Sequence, residues 1–115
     1  MRGMMAKGLL DFGQLQAVAR LFEVLAEPTR LDILQNLKQK SLSVNEIVNA
    51  TDCKQANVSK QLGILHDAGL LDRRREGNQV FYSIADPMIF DLCALVCGKL
   101  KKDAQVQLEK FQRTR

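Results

Sequence analysis

The sequence is short of the residue types that several functional classes need. It has no tryptophan, one tyrosine and a single histidine, His66, among its 115 residues. Proteins that bind single-stranded nucleic acid usually stack the bases on aromatic rings, so this binding mode is not expected. One histidine cannot build a zinc site, and we expect neither a metal ion nor a cofactor.

Cysteine and long apolar runs are also scarce. The three cysteines, Cys53, Cys93 and Cys97, are too few and too unevenly spaced for the disulfide framework of a small secreted domain. No apolar run approaches the roughly 18 residues of a membrane span, and residues 1–10 lack the apolar core of a signal peptide. We therefore expect a cytoplasmic protein without a membrane partner. The chain also lacks a Ser-His-Asp set, paired carboxylates and a glycine loop for phosphate, so we do not expect an enzyme.

What the sequence does contain fits one basic domain. Apolar residues make up 46% and charged residues 26%, which is ordinary for a globular protein. The net charge of +4 and the pI of about 9.2 favour an acidic partner. We expect residues 1–10 to be a flexible N-terminus and residues 11–115 to form a single domain.

Apolar residues recur at spacings of three and four along much of the chain. This periodicity predicts helices over residues 11–26, 29–38, 43–51, 52–69 and about 86–111. Pro28 suits the first turn of the second helix, and Asp86-Pro87 suits the start of the last one. The last helix is long and amphipathic, which is typical of a dimer seam.

The third and fourth helices carry start and stop signals. Ser43 and Glu46 form a capping box, and Asp52 with Gln55 fits a second one. Gly69 suits the position just past the end of the fourth helix. Two short helices joined this closely, over about residues 43–69, predict a helix-turn-helix.

A β-hairpin is predicted directly behind these helices. Two strand-like runs, over residues 70–76 and 79–84, flank Gly77-Asn78, which is a two-residue hairpin signal. A hairpin in this position is a wing, so the predicted fold is mainly α with a small β-hairpin wing. Polar side chains in the first half of the fourth helix can bind base edges, and wing arginines can reach phosphates or a minor groove. The expected DNA-contacting residues are Gln55, Asn57, Ser59, Lys60, Gln61, Arg73, Arg74 and Arg75.

The same order of elements resembles a known family. The runs LAEPTRLDILQNL, SVNEIV and QANVSKQLGILHDAGLLDRRREGNQVFYSI resemble the ArsR/SmtB family of winged-helix repressors. The resemblance implies a homodimer built on the first and last helices, and a repressor that an inducer releases from double-stranded operator DNA. Ala56 stands where the family often has proline, and Gln61 where it often has histidine.

The metal sites of the family are not matched in this chain. Ser43 and Asn45 stand where arsenic-sensing members carry two thiolates. The positions of the zinc ligands on the last helix hold Asp86, Met88, Lys99 and Lys102. Two lysines in place of ligands would repel a cation, so neither site is expected.

Thiol chemistry is the remaining candidate for sensing. Cys53 is expected in the first turn of the fourth helix beside Lys54, where the helix dipole and the cation favour a thiolate. Cys93 and Cys97 share a face of the last helix, although a direct disulfide inside one regular helix is poorly oriented. Simple packing of these cysteines as small apolar residues is equally open.

The family resemblance gives these cysteines a further meaning. Members that respond to oxidants or to persulfide and polysulfide use a cysteine pair, which implies a switch made of Cys53 with Cys93 or Cys97. Two alternatives stay open. One is a soft-metal or arsenite sensor that uses the three thiolates. The other is a winged-helix module that binds protein rather than DNA.

Overall fold

A computed structural model describes residues 8–113 in two compact units, one ending at Ala85 and one beginning at Asp86. The first unit contains α1 (Phe12–Leu25), α2 (Pro28–Asn36), β1 (Leu42–Ser43), α3 (Val44–Thr51), α4 (Gln55–Asp67), β2 (Leu71–Glu76) and β3 (Gln79–Ile84). The second unit is one helix, α5 (Met88–Arg113). The predicted flexible N-terminus, residues 1–10, lies mostly outside the described residues. None of the helices within residues 8–113 has the length and apolar character that a membrane crossing requires.

Local hydrogen bonds explain where the first helices begin. The Asp11 carboxylate accepts from the backbone N–H of Gln14 at 2.8 Å, and the Gln14 side chain accepts from the N–H of Asp11 at 2.9 Å. The predicted box at α3 is confirmed, with Glu46 accepting from the N–H of Ser43 at 2.8 Å. Pro28 is the first residue of α2, as predicted. Each box satisfies backbone donors that the first helical turn leaves without a partner.

The core of the first unit lies where α2, α3 and α4 meet. Its fully buried side chains are Ile33, Leu34, Leu37, Ile47, Val58, Leu62 and Leu65. The three that belong to α4 recur at spacings of three and four, so one face of this helix is buried and the other is left to solvent. The packed face holds α4 rigidly while its first half projects polar side chains.

A three-stranded antiparallel sheet with strand order β1-β3-β2 packs against α3 and α4. The predicted hairpin is confirmed: β2 and β3 pair from Leu71 and Ile84 to Glu76 and Gln79. Gly77 has φ of +64°, the conformation that the first central position of a type II′ turn requires. The first strand of the sheet, β1, was not predicted; it is a short strand that pairs with β3.

The start of α4 differs from the prediction. Asp52 does not cap this helix; it follows the last residue of α3 with φ of 58° and ψ of 29°. α4 begins three residues later, with Lys54 at its N-cap and without a side-chain cap bond. Aspartate is one of the few residues that tolerate this left-handed conformation, which lets the chain turn tightly between the two helices.

The end of α4 is as predicted. Gly69 lies just past the helix with φ of +79°. Its N–H donates to the carbonyl of His66 at 3.0 Å, and the N–H of Leu70 donates to that of Leu65 at 3.1 Å. This pair of bonds is a Schellman motif, which ends the helix and directs the chain into β2.

Candidate DNA-binding surface

The first half of α4 presents a polar outer face. The exposed polar side chains there are Gln55, Asn57, Ser59 and Lys60. Lys60 supplies a cation, while the other three can donate and accept hydrogen bonds. A short helix with such a face has the size and chemistry to read base edges in a major groove.

Gln61 lies on the buried side of α4, which argues against its predicted direct contact with DNA. Only 7% of the residue is exposed. Its Oε1 accepts from Nε of Arg30 at 2.8 Å, and its Nε2 donates to Oδ1 of Asn57 at 3.0 Å. With both ends of the amide engaged and the side chain buried, Gln61 would have to give up these bonds to contact a base directly.

A groove of about 230 Å³ separates the first half of α4 from the wing. Gln55 and Ser59 line it on the helix side, and Asn78 and Gln79 line it at the tip of the wing. The remaining lining residues are Ser43, Val44, Asn45 and Val80. The two wing-tip amides were not among the predicted contacts. Their position in the hairpin turn is the sequence signal that could have identified them.

The three wing arginines are all exposed, but they do not share one environment. Arg74 pairs with Phe81, and Arg75 pairs with Val80, so the two arginines lie on opposite faces of the hairpin. Nε of Arg74 lies 2.8 Å from Oε2 of Glu76, and the guanidinium lies 5.2 Å from the centre of the Phe81 ring. Arg75 has no ion-pair partner in the part of the chain that the structure describes. Its free charge is on the face that contains Val80, a lining residue of the groove.

The predicted sensing cysteines are all free thiols. Cys53 lies in the turn before α4, so its placement in the first turn of that helix was wrong. It is half-buried, and its thiol donates to the carbonyl oxygen of Thr51 at 3.3 Å. Cys93 and Cys97 are exposed on α5. Within residues 8–113, no three cysteine, histidine or acidic side chains are arranged to hold a metal ion.

Two helices carry large apolar side chains that the single chain leaves exposed. On α1 these are Phe12, Leu15, Val18 and Phe22, at 40% to 73% exposure. On α5 they include Leu95, Val96, Leu100 and Phe111, at 51% to 73%. Contiguous exposed apolar residues of this kind mark an interaction surface.

Comparison with known proteins connects these features to a family. Residues 25–74 match the model of a helix-turn-helix domain family, HTH_20. The chain is 41% identical over 98 residues to Rv0081, an uncharacterised transcriptional regulator of Mycobacterium tuberculosis, covering 82% of this chain and 86% of that one. It is 33% identical over 94 residues to a homologue of the SmtB repressor from Synechocystis, covering 82% and 71%. The chain belongs to the ArsR/SmtB family of transcriptional repressors.

Solved structures of transcriptional regulators share the fold. The crystal structure of Rv0081 superposes with a TM-score of 0.76 at 33% identity, covering 85% of this chain and 99% of that one. The homodimeric winged helix-turn-helix domain of Mb0332 from Mycobacterium bovis gives 0.69 at 34% identity, covering 81% and 86%. The antimony-specific repressor AntR gives 0.71 at 32% identity, covering 83% and 86%. The predicted family and winged-helix fold are thereby confirmed.

Proposed function

We propose that this ArsR/SmtB protein is a homodimeric repressor that binds a specific sequence of double-stranded DNA. The observation that carries the proposal is the groove between α4 and the wing. Hydrogen-bonding side chains line both of its walls, and the free cation of Arg75 lies on the face of the hairpin that contains one of its lining residues. A base-reading helix beside a phosphate-binding wing is how such domains combine specificity with affinity.

Dimerisation follows from the exposed apolar residues of α1 and α5. Phe12, Phe22 and Leu100 each have more than half of their surface in solvent in the single chain, which a second copy would cover. The homodimeric state of Mb0332 supports this step. A symmetric dimer places two recognition helices about 34 Å apart in successive major grooves, so the operator is expected to be palindromic.

The test is binding of the protein to duplex DNA from its own promoter region. We expect the affinity for DNA to fall steeply as the salt concentration rises. Lys60 and the wing arginines neutralise phosphates and thereby release counterions on binding, and added salt opposes this release. The Ser59→Ala variant should lose discrimination between operator and random DNA. Salt-independent binding, or equal affinity of the unchanged protein for both DNAs, would contradict the proposal. A winged-helix module that binds protein would give no DNA complex at all.

The release signal that we propose is directed at thiols, acting on Cys53, Cys93 and Cys97. Cys93 and Cys97 are accessible on α5, the helix proposed for the dimer seam. Cys53 lies in the turn that positions α4, and its thiol bonds to the backbone of that turn. Modification of Cys53 would break this bond and disturb the start of the recognition helix, while modification on α5 would alter the seam.

The chemistry of such a signal balances in two ways. Hydrogen peroxide converts two thiols to a disulfide and is reduced to two waters. A three-sulfur polysulfide, HSSSH, converts two thiols to a bridge of three sulfur atoms and releases two molecules of hydrogen sulfide. The longer bridge suits Cys93 and Cys97, because side chains four residues apart on one helix point the same way and strain a direct disulfide.

The test compares operator affinity before and after treatment with peroxide or polysulfide. We expect a loss of about 5-fold to 150-fold, the usual range of coupling between two sites. The variants Cys53→Ser, Cys93→Ser and Cys97→Ser, each made separately, identify the reacting thiols by mass spectrometry and by loss of the response. A full response in a variant that carries all three substitutions would rule out the thiol signal.

A soft-metal or metalloid sensor is the second candidate, and the likeness to AntR is the observation that favours it. Cysteine sulfur prefers soft cations, so the three thiolates are its candidate donors. They are not grouped around one point within residues 8–113, so binding would have to bring them together. This candidate predicts that arsenite or antimonite releases the reduced protein from DNA while peroxide and polysulfide do not. The same gel shifts therefore separate the two signals.

A further inference from the structure

Three side chains form a hydrogen-bonded chain from α2 to the outer face of α4. Arg30 of α2 donates from Nε to Oε1 of Gln61 at 2.8 Å. Gln61 donates from Nε2 to Oδ1 of Asn57 at 3.0 Å. The chain starts at a half-buried cation, passes through a buried amide and ends at an exposed residue in the first half of α4.

The cation at the start of this chain is anchored on its other side. Nη1 of Arg30 donates to the carbonyl oxygens of Val24 at 2.8 Å and of Glu23 at 3.4 Å. These carbonyls belong to the last turn of α1, where a helix lacks intrahelical donors and carries partial negative charge. Arg30 thus joins the end of α1 to α4. Rotation of its guanidinium would remove the side-chain donor of the Val24 carbonyl, whereas the Glu23 carbonyl also accepts from the backbone N–H of Ala26 at 3.2 Å.

The guanidinium dictates the direction of every bond that follows. Arginine has donors only, so the oxygen of the Gln61 amide must face Arg30 and its nitrogen must face Asn57. The nitrogen has donors only, so the oxygen of the Asn57 amide must face Gln61. The end of Asn57 that remains for a ligand is its NH₂ group, which donates hydrogen bonds.

We propose that Arg30 and Gln61 are positioning residues that orient Asn57 so that it presents donors to the operator and selects guanine. This inference rests on the proposed DNA-binding function. Guanine shows two acceptors, O6 and N7, in the major groove. The usual pairing of asparagine with adenine needs the amide oxygen and nitrogen together, and here the oxygen points back to Gln61. Asn57 is therefore a specificity-determining residue whose preference is set from α2.

The test is selection of binding sites from a random duplex library, using the full-length homodimer. The base pair that Asn57 reads is the position at which the Asn57→Ala variant loses its preference. We expect the unchanged protein to prefer guanine there by about 5-fold or more, the discrimination of one good base contact. The other positions of the half-site serve as the internal control, since Asn57→Ala should leave their preferences in place.

The Gln61→Glu variant reverses the polarity of the chain. A carboxylate still accepts from Arg30, but toward Asn57 it offers an acceptor, so the Asn57 amide turns over and exposes its oxygen. The preference at this one position should change from guanine to a base with an exocyclic donor, cytosine or adenine. The Asn57→Asp variant, which leaves the buried residues untouched, should shift the same position in the same direction even if Gln61→Glu folds poorly.

The outcomes separate the inference from the function on which it rests. Recovery of a clear site with adenine at this position, unchanged in Gln61→Glu and Asn57→Asp, overturns the inference and leaves the repressor function intact. A site in which Asn57→Ala alters no position also overturns it. Failure of the unchanged protein to enrich any site removes both. Guanine in the unchanged protein with a switch in either variant supports both.

Discussion

Neighbouring arginines of the wing, Arg74 and Arg75, should contribute differently to operator binding. They are the same residue type one position apart, yet they lie on opposite faces of β2. The charge of Arg74 is matched by Glu76 at 2.8 Å, and the guanidinium stacks on Phe81. Arg75 shares a face with Val80, which lines the groove beside α4, and has no ion-pair partner within residues 8–113. Alanine at each position therefore removes the same side chain from two different environments.

The magnitude follows from counterion release. Each phosphate contact contributes about 0.9 to the slope of log affinity against log salt, so Arg75→Ala should lower the slope by about 1.8 in a dimer. When the salt is raised from about 50 to 200 mM, the fold loss of operator affinity should therefore be about 12 times smaller in Arg75→Ala than in the unchanged protein. Arg74→Ala should change the slope far less, because its charge is already paired. Its main effect is a loss of about 0.5 to 1 kcal/mol of stability from the exposed cation–π contact.

The assay is fluorescence anisotropy of a labelled operator at four or more salt concentrations, with thermal unfolding of each variant as the folding control. Equal slopes for Arg74→Ala and Arg75→Ala would refute the assignment of different roles to the two faces. An unchanged slope in Arg75→Ala would refute phosphate contact by the groove side of the wing.

Other variants test the seam, a helix cap and the buried cation. Phe22→Glu should weaken dimerisation by about 10-fold or more in sedimentation equilibrium, since a charge replaces an apolar side chain on the proposed seam. Phe22→Leu, which keeps an apolar side chain at the same position, should leave the dimer intact. Ser43→Ala removes the α3 cap and should lower the free energy of unfolding by about 1 kcal/mol, measured by urea denaturation. An unchanged free energy of unfolding would show that the cap is not needed. Arg30→Met leaves the Oε1 of Gln61 without its donor and should cost about 1 to 3 kcal/mol, and Arg30→Lys should not fully restore stability, because one ammonium cannot serve both α1 and Gln61. Full stability of Arg30→Met would show that the chain of hydrogen bonds carries no energy.

Several elements were predictable because the signals that form them are local. The Ser43–Glu46 box acts between residues three apart, and the Gly77-Asn78 turn determines which residues of β2 and β3 pair. Gly69 ends α4 because the helix exit requires a left-handed residue there. None of these interactions needs a distant partner, so reading the chain in order was enough to predict them.

The beginning of α4 shows where local signals are ambiguous. Asp52 and Gln55 fit the pattern of a capping box, but aspartate also tolerates the left-handed conformation that ends α3. The residue types at these positions are therefore compatible both with a cap of α4 and with a left-handed turn after α3. Packing of α3 against α4 requires a tight turn between them, and Asp52 adopts the left-handed conformation of that turn instead of capping α4. Cys53 moves with it, from the helix into the turn, where its thiol bonds to Thr51.

The sequence by itself determined the helices, the wing and the polar outer face of α4, because capping, periodicity and turn chemistry act over a few residues. Tertiary structure alone decided the roles of individual residues on that face. Gln61 satisfies the pattern of a DNA contact, and only its bond to Arg30, 31 positions earlier, makes it a buried link. Likewise, strand alternation alone places Arg74 and Arg75 on opposite faces of β2, but only the packed structure shows that the face of Arg74 carries Phe81 and that the face of Arg75 borders the groove beside α4. Contacts between residues far apart in the chain depend on how the elements pack, and no spacing within the sequence records them.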